Sequence, residues 1–217
     1  MSGEQSENRP DVHRCVMWQR LDTPGIEVCS LESLPNDQVP HALFGHVLVA
    51  LDEAPAAYWY TVYCDAAWTT KSVLVRPFIL PADLGKPDLS LHFERGHWFI
   101  RKWPESAEAR PVASDRELPE LSGCIDVDLG ISPSTNTLPI RRLNLAVGES
   151  RELTAAWVRF PELTVEPLAQ RYTRLAERRY RYESVVSGFT AELEVDDLGL
   201  VVTYEGIWQR VAESREH

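Results

Sequence analysis

The chain has 217 residues, 44% of them hydrophobic and 25% charged, the proportions of a globular protein able to bury well over half of its unfolded surface. Its 33 acidic and 22 basic residues leave a net charge of -11, which opposes general binding to nucleic acid or anionic membranes. The first residues lack the apolar core of a secretory signal, and no segment offers about 18 uninterrupted apolar residues, so a cytoplasmic chain without stable membrane insertion is expected.

Residues 1 to 12 read as a disordered tail, 13 to 210 as a single domain and 211 to 217 as a second tail. Within the domain, apolar, β-branched and aromatic residues come in short runs punctuated by Gly, Pro and Asp, the pattern of strands. Residues 44 to 51 and 58 to 64 carry apolar groups on both faces, so both need cover on two sides. Further strands are expected at 71 to 79, 89 to 93 and 97 to 103, and the Pro- and charge-rich stretch 104 to 119 reads as a loop. From 124 to 131, Ile125, Val127 and Leu129 alternate with Cys124, Asp126 and Asp128, leaving one polar face.

The stretch from Gly123 to Leu143 gathers carboxylates, hydroxyls, an amide and two arginines around one turn. Ser132, Pro133 and the run Ser134-Thr135-Asn136-Thr137 suit turns in which side chains satisfy backbone donors, and Pro139 removes another donor. Ile140 and the pair Leu143, Leu145 fall on opposite strand faces, so a bulge or bend is expected near the arginines. Two roles follow for Arg141 and Arg142: pairing with Asp126 or Asp128 to lock the corner, with Thr135 and Thr137 as its structural hydroxyls, or facing a cavity to hold an anionic or polyhydroxyl head group.

Beyond the corner, strands are expected at 151 to 160 and 180 to 186, then a hairpin from 189 to 195 and 200 to 205 around Asp196-Asp197-Leu198-Gly199. One segment breaks the pattern. From Glu166 to Ala176, Leu168, Tyr172 and Leu175 fall at i, i+4 and i+7 behind Pro167, which predicts the one sizeable α-helix. The units 89 to 103 and 191 to 208 echo each other, which reads as an internal duplication whose sheet halves meet near the corner.

No chemistry-bearing motif stands out. His41 and His46 repeat the spacing of His92 and His97, but on a strand a separation of five puts two side chains on opposite faces, and across the 94 to 96 turn a shared face depends on whether the loop has two or three residues. The four scattered cysteines lack zinc spacing, so no metal site is expected. Asp126 and Asp128 share a strand face, yet two ligands from one edge do not make a cation site. Gly130-Ile-Ser-Pro-Ser134 fails the G-x-S-x-G pattern and no phosphate-binding Gly loop is present. No catalytic residue, cofactor or enzyme activity is expected.

Five stretches carry a resemblance: Trp18-x-x-Leu-Asp-x-Pro-Gly-x-Glu27, Tyr60-x-Val-x-Cys-Asp-x-x-Trp68, Gly123-Cys-Ile-Asp-Val-Asp-Leu129, Ser132 to Leu143, and Gln170-Arg-Tyr172. In that order they resemble the Putative glycolipid-binding family. The resemblance implies a mainly β fold, a spiral β-roll in which a many-stranded, mostly antiparallel sheet wraps around one α-helix, assembled as a homodimer. It implies a glycolipid or fatty-acyl ligand, because the family's functional label rests on likeness to lipoprotein and glycolipid carriers. In physical terms, an acyl chain would lie against a concave sheet lined by some of Phe44, Tyr58, Trp59, Tyr60, Trp68, Trp98 and Trp157. Arg141, Arg142, Asn136, Trp68, Asp65 and Tyr60 are the candidate ligand residues. The competing readings are a dimeric protein-interaction module and an enzyme of unfamiliar type.

Overall fold

The structure, a computed structural model, describes residues 13–79, 88–102 and 114–214. They form one sheet of fifteen strands. The first half is an antiparallel meander: β1 (His13–Arg20), β2 (Gly25–Ser33), β3 (His41–Leu51), β4 (Ala54–Cys64), β5 (Thr70–Ile79), β6 (Leu89–Glu94), β7 (His97–Lys102) and β8 (Ser114–Glu117). The second half holds β9 (Asp126–Leu129), β10 (Ser150–Arg159), β11 (Thr164–Ala176), β12 (Arg179–Ser184), β13 (Thr190–Val195), β14 (Val201–Tyr204) and β15 (Trp208–Glu213). In space the order runs β8 to β1, then β15 back to β9, and only the β9–β10 pair is parallel.

The two meanders therefore join where the first and last strands pair, Met17 opposite Ala212 and Arg20 opposite Trp208, and not near the 123–143 stretch. That stretch instead links the two outer edges of the sheet, running from β8 to β9 and on toward β10. The expected tail at 211 to 217 begins inside β15, and the expected tail at 1 to 12 lies outside the described residues. So does the greater part of the 104–119 loop, whose remainder contains β8 and a 3-10 turn at Pro119–Leu121.

The helix is the main correction. Thr164–Ala176 is strand β11, paired with β10 from Thr164 to Thr173 and with β12 from Gln170 onward. The i, i+4, i+7 pattern of Leu168, Tyr172 and Leu175 competed with a period of two, and the latter prevails: Gln170 and Tyr172 are the buried residues. Pro167 lies where β11 is paired on one side only, so its missing N–H costs no interior ladder bond.

The α-helix is α1 (Thr137–Leu143), entered through a 3-10 turn at Ser134–Asn136 and closed by Asn144 in the left-handed conformation. A helix thus replaces the expected bulge. Pro139 is tolerated in its first turn, where backbone donors have no helical acceptor, and Ile140 with Leu138 faces inward at 6% and 0% exposure.

The sheet curls around this helix without closing into a barrel. Residues 131–140 are all buried, and both halves of the sheet reach them. The Tyr60 hydroxyl of β4 contacts Ser134 Oγ at 2.5 Å, the Tyr172 hydroxyl of β11 donates to Asn136 Oδ1 at 2.8 Å, and Thr137 Oγ1 donates to Gly199 O of the β13–β14 turn at 3.1 Å. The helical segment is a plug whose polar groups bond to the surrounding strands, as a buried segment requires.

Candidate functional site

The plug separates two clefts that share no lining residue. The first, about 350 Å³, opens on one side of it. Trp157 and Leu168 form one wall and Tyr182, Phe189, Tyr204, Ile207 and Trp208 another, with Asp128, Ser132 and Asn136 at the base. Gly130 belongs here for a steric reason: a Cβ would sit 2.7 Å from Trp157 Nε1.

The base is hydrogen-bonded throughout. Gln170 Nε2 donates to Asp128 Oδ2 and contacts the Tyr182 hydroxyl at 3.3 Å. Tyr172 donates to Asn136 Oδ1 at 2.8 Å, and Asn136 Nδ2 donates to Pro133 O at 3.1 Å. Burial pushes the Asp128 carboxyl up to about 6, opposed by the Gln170 amide. Exposed apolar side chains also line the cleft, Val186 at 82% and Phe189 at 40%, beside the Arg20–Asp22 ion pair.

Behind Ser132 lies a fully buried cluster. Glu27 Oε1 accepts from Tyr60 at 2.5 Å and from Ser132 Oγ at 2.7 Å, while Glu27 Oε2 has no hydrogen-bond partner. Burial, only partly offset by these hydroxyls, raises the Glu27 carboxyl to about 8, so it is mostly neutral at pH 7.

The second cleft, about 450 Å³, lies between the end of α1, the β11–β12 turn and the β13–β14 turn. Arg141 stands 5.1 Å over the Trp68 ring, which in turn stacks on His41 at 4.3 Å. Trp68 adopts a φ of 65°, a left-handed geometry unfavourable for an aromatic residue. Asp65 enforces it: its Oδ1 accepts from the N–H groups of Ala67 and Thr69, both at 3.0 Å, and its Oδ2 pairs with Lys71 at 3.3 Å.

The six candidate ligand residues therefore separate. Arg141 and Trp68 face the second cleft and Asn136 the first. Tyr60 is 1% exposed with its hydroxyl consumed by Glu27 and Ser134, so it is an interior residue. Arg142 is bound bidentately to Asp126, and Asp65 spends its carboxylate on the turn. Of the corner hydroxyls, Thr135 Oγ1 accepts from Leu129 N at 3.2 Å, while Thr137 bonds Gly199 as above.

The expected aromatic wall also divides. Tyr58 and Trp98 are core residues at 0% and 1% exposure. Phe44 packs edge-on against Tyr63 and Trp59 lies under Arg76, outside both clefts. Trp157 and Trp68 alone among the seven line a cleft.

His92 and His97 do share a face, because Glu94 opposes His97 and His92 opposes Phe99 in a two-residue hairpin, but each turns to an acid of β8, Asp115 or Glu117. No group of three or more metal-ligating side chains occurs among the described residues, and no described helix is long and apolar enough to cross a membrane.

The residues quoted for the resemblance converge on this plug from β2, β4, β9, α1 and β11, and the family model described as "Putative glycolipid-binding" matches residues 15–210. The chain belongs to that family. A DUF1089 family protein from Pseudomonas aeruginosa has a similar crystal structure at 31% identity, covering 86% of this chain and 92% of its own, with a TM-score of 0.68. A beta-barrel-like protein of the DUF1849 domain of unknown function from Brucella abortus aligns at 9% identity over 95% and 98% of the two chains, with a TM-score of 0.48. No curated protein matches.

Gly45, Tyr182 and Tyr204 escaped sequence reasoning, and Glu27 and Tyr172 entered it only through the resemblance and the expected helix, without their roles here. For Glu27 a signal existed: it is in phase with Cys29 and Leu31 on the inward face of β2, with Ile26 turned out.

Proposed function

We propose that this member of the glycolipid-binding family is a non-catalytic binder of an amphiphile, seated in the cleft between β10 and β12–β15. The observation that carries it is the pairing of a polar base with exposed apolar side chains in the same cleft. Asp128, Asn136 and the tyrosine hydroxyls offer acceptors and donors to sugar hydroxyls, while Trp157, Leu168, Val186 and Phe189 offer an acyl chain a surface that costs free energy to leave in water.

Binding fits this base better than catalysis. Ser132 Oγ donates to Glu27, accepts from Ser134 N–H at 3.1 Å and contacts Ser134 Oγ and Tyr60 OH at 2.7 and 3.3 Å, which leaves no lone pair directed at a substrate. The homodimer implied by the family is part of the same proposal, and sedimentation equilibrium tests it.

The decisive experiment is organic extraction of the purified protein with mass spectrometry, followed by titration of delipidated protein with octyl glucoside below its micellar concentration. Saturable quenching of tryptophan fluorescence, weakened in Phe189→Asp, is expected. Absence of both a co-purified lipid and a saturable response would sink the proposal.

A further inference from the structure

We propose that the second cleft is a separate site for a phosphate-bearing anion, gripped by Arg141 and Arg178 beside the Trp68 shelf. Three arginines line it: Arg141 from α1, and Arg174 and Arg178 from the end of β11 and its turn. Among the described residues no carboxylate pairs with Arg141 or Arg178, although acids outnumber bases 33 to 22 in the chain.

Arg174 is spent differently. Its Nη1 donates to Leu145 O at 2.7 Å and its other nitrogens to Ala176 O and Glu177 O, so it is fixed in place while its charge meets no carboxylate. Two acids on the facing wall are already engaged: Asp196 accepts from Arg210 at 2.9 Å and lies 3.5 Å from Arg14, which is also 3.8 Å from Asp197. Glu177 is the remaining acid and is exposed. The cleft therefore gathers three arginines that no described carboxylate pairs, facing an Asp196 already held by Arg210 and Arg14 and two solvent-exposed acids, Asp197 and Glu177.

It is also built to hold Arg141 still. Gly199, at φ 82°, would bring a Cβ within 3.2 Å of Arg141 Cδ, so glycine leaves room for the arginine stem. Trp68, held by the Asp65 turn and backed by His41, supports the guanidinium from below and leaves its N–H edge available.

The choice of phosphate follows from geometry. A carboxylate is satisfied by one guanidinium fork, whereas a phosphate monoester offers three terminal oxygens to forks arriving from two elements. A volume of about 450 Å³ accommodates a small phosphorylated molecule. The largely polar lining gives no purchase to an acyl chain, which separates this site from the amphiphile cleft.

The test uses the full chain and two probes. Glycerol 3-phosphate is titrated while the Trp68 indole resonance is followed by NMR, and phosphatidylcholine vesicles with and without phosphatidic acid are co-sedimented with the protein. A saturable Trp68 shift with the soluble probe assigns a free phosphate ester, and sedimentation only with phosphatidic acid assigns a lipid head group. Either response should weaken about tenfold or more in Arg141→Gln and in Arg178→Gln, the loss of a charge-assisted hydrogen bond, while octyl glucoside binding stays unchanged. No response to either probe, or a response as strong in both variants as in the native chain, overturns the proposal. Arg178→Gln lies on an exposed turn, so the test survives a misfolded Arg141 variant.

Discussion

Arg142 closes a two-pronged ion pair on Asp126, Nε to Oδ1 at 2.9 Å and Nη2 to Oδ2 at 2.5 Å, tying the end of α1 to strand β9. The Asp126 side chain is 1% exposed and that of Arg142 17%. Burial pushes the aspartate up while the guanidinium pulls it back, and the arginine is held charged. Removing the arginine alone leaves a buried carboxylate without its partner, so Arg142→Ala should cost about 3–5 kcal/mol. Arg141→Ala, one residue away on the exposed side, should cost under about 1 kcal/mol, since it loses chiefly a cation–π contact. Urea denaturation of both variants checks the contrast; equal losses would mean that the pair does not lock the corner.

Glu27 sets a pH dependence. The unfolded chain ionises this carboxyl near 4.5 and the folded chain near 8. Between those values the folded protein still holds a proton that the unfolded one has released. The contribution is therefore complete below pH 4.5 and is lost as pH rises through about 8, with a slope of up to about 1.4 kcal/mol per pH unit. Asp128, shifted from 3.8 to about 6, adds a slope of the same sign at lower pH. Glu27→Gln keeps the shape without the charge. From pH 6 to 8 the native chain should lose about 2 kcal/mol and the variant much less, as read from urea midpoints; parallel slopes would exonerate Glu27.

Two neighbouring tyrosines on β4 should respond oppositely to losing a hydroxyl. Tyr58 OH is buried without a hydrogen-bond partner, and its ring packs edge-on against Phe160 at 4.8 Å. Tyr58→Phe removes an unpaid desolvation and should be neutral or stabilising by about 1 kcal/mol. Tyr60→Phe takes a donor from Glu27 and should destabilise by about 1–3 kcal/mol. A melting temperature at or above the native value for Tyr58→Phe and below it for Tyr60→Phe would bear this out.

The contrast between strands and plug shows what the sequence made legible. β4 announced itself because apolar side chains occupy both of its faces and both are largely covered, whereas β3, read the same way, keeps one face open, with Leu48 47% exposed. The 166–176 segment did not announce itself, because Leu168, Tyr172 and Leu175 match a helical period while the buried pair Gln170 and Tyr172 matches a strand, and only the neighbouring strands decide. α1 and its 3-10 lead were hidden by their prolines and hydroxyls, which look like a turn until Tyr60, Tyr172 and Gly199, distant in sequence, satisfy their polar groups. The clefts share that origin: Arg141 and Arg142 are adjacent in sequence, and their different fates depend on which side of a short helix each one faces.

Gly45 shows how far the buried cluster depends on a missing side chain. It lies directly opposite Tyr60 across the β3–β4 pair, and a Cβ there would stand 2.1 Å from the Tyr60 ring. The ring cannot withdraw, because its hydroxyl is held by Glu27 and Ser134 at 2.5 Å each. Gly45→Ala should therefore destabilise by about 1–3 kcal/mol or more through overpacking. In a Tyr60→Val background the obstructing ring is gone, and the same substitution should cost far less. A double-mutant cycle in urea should return a coupling of about 1 kcal/mol or more; additive losses would show that Gly45 serves the strand backbone and not the tyrosine.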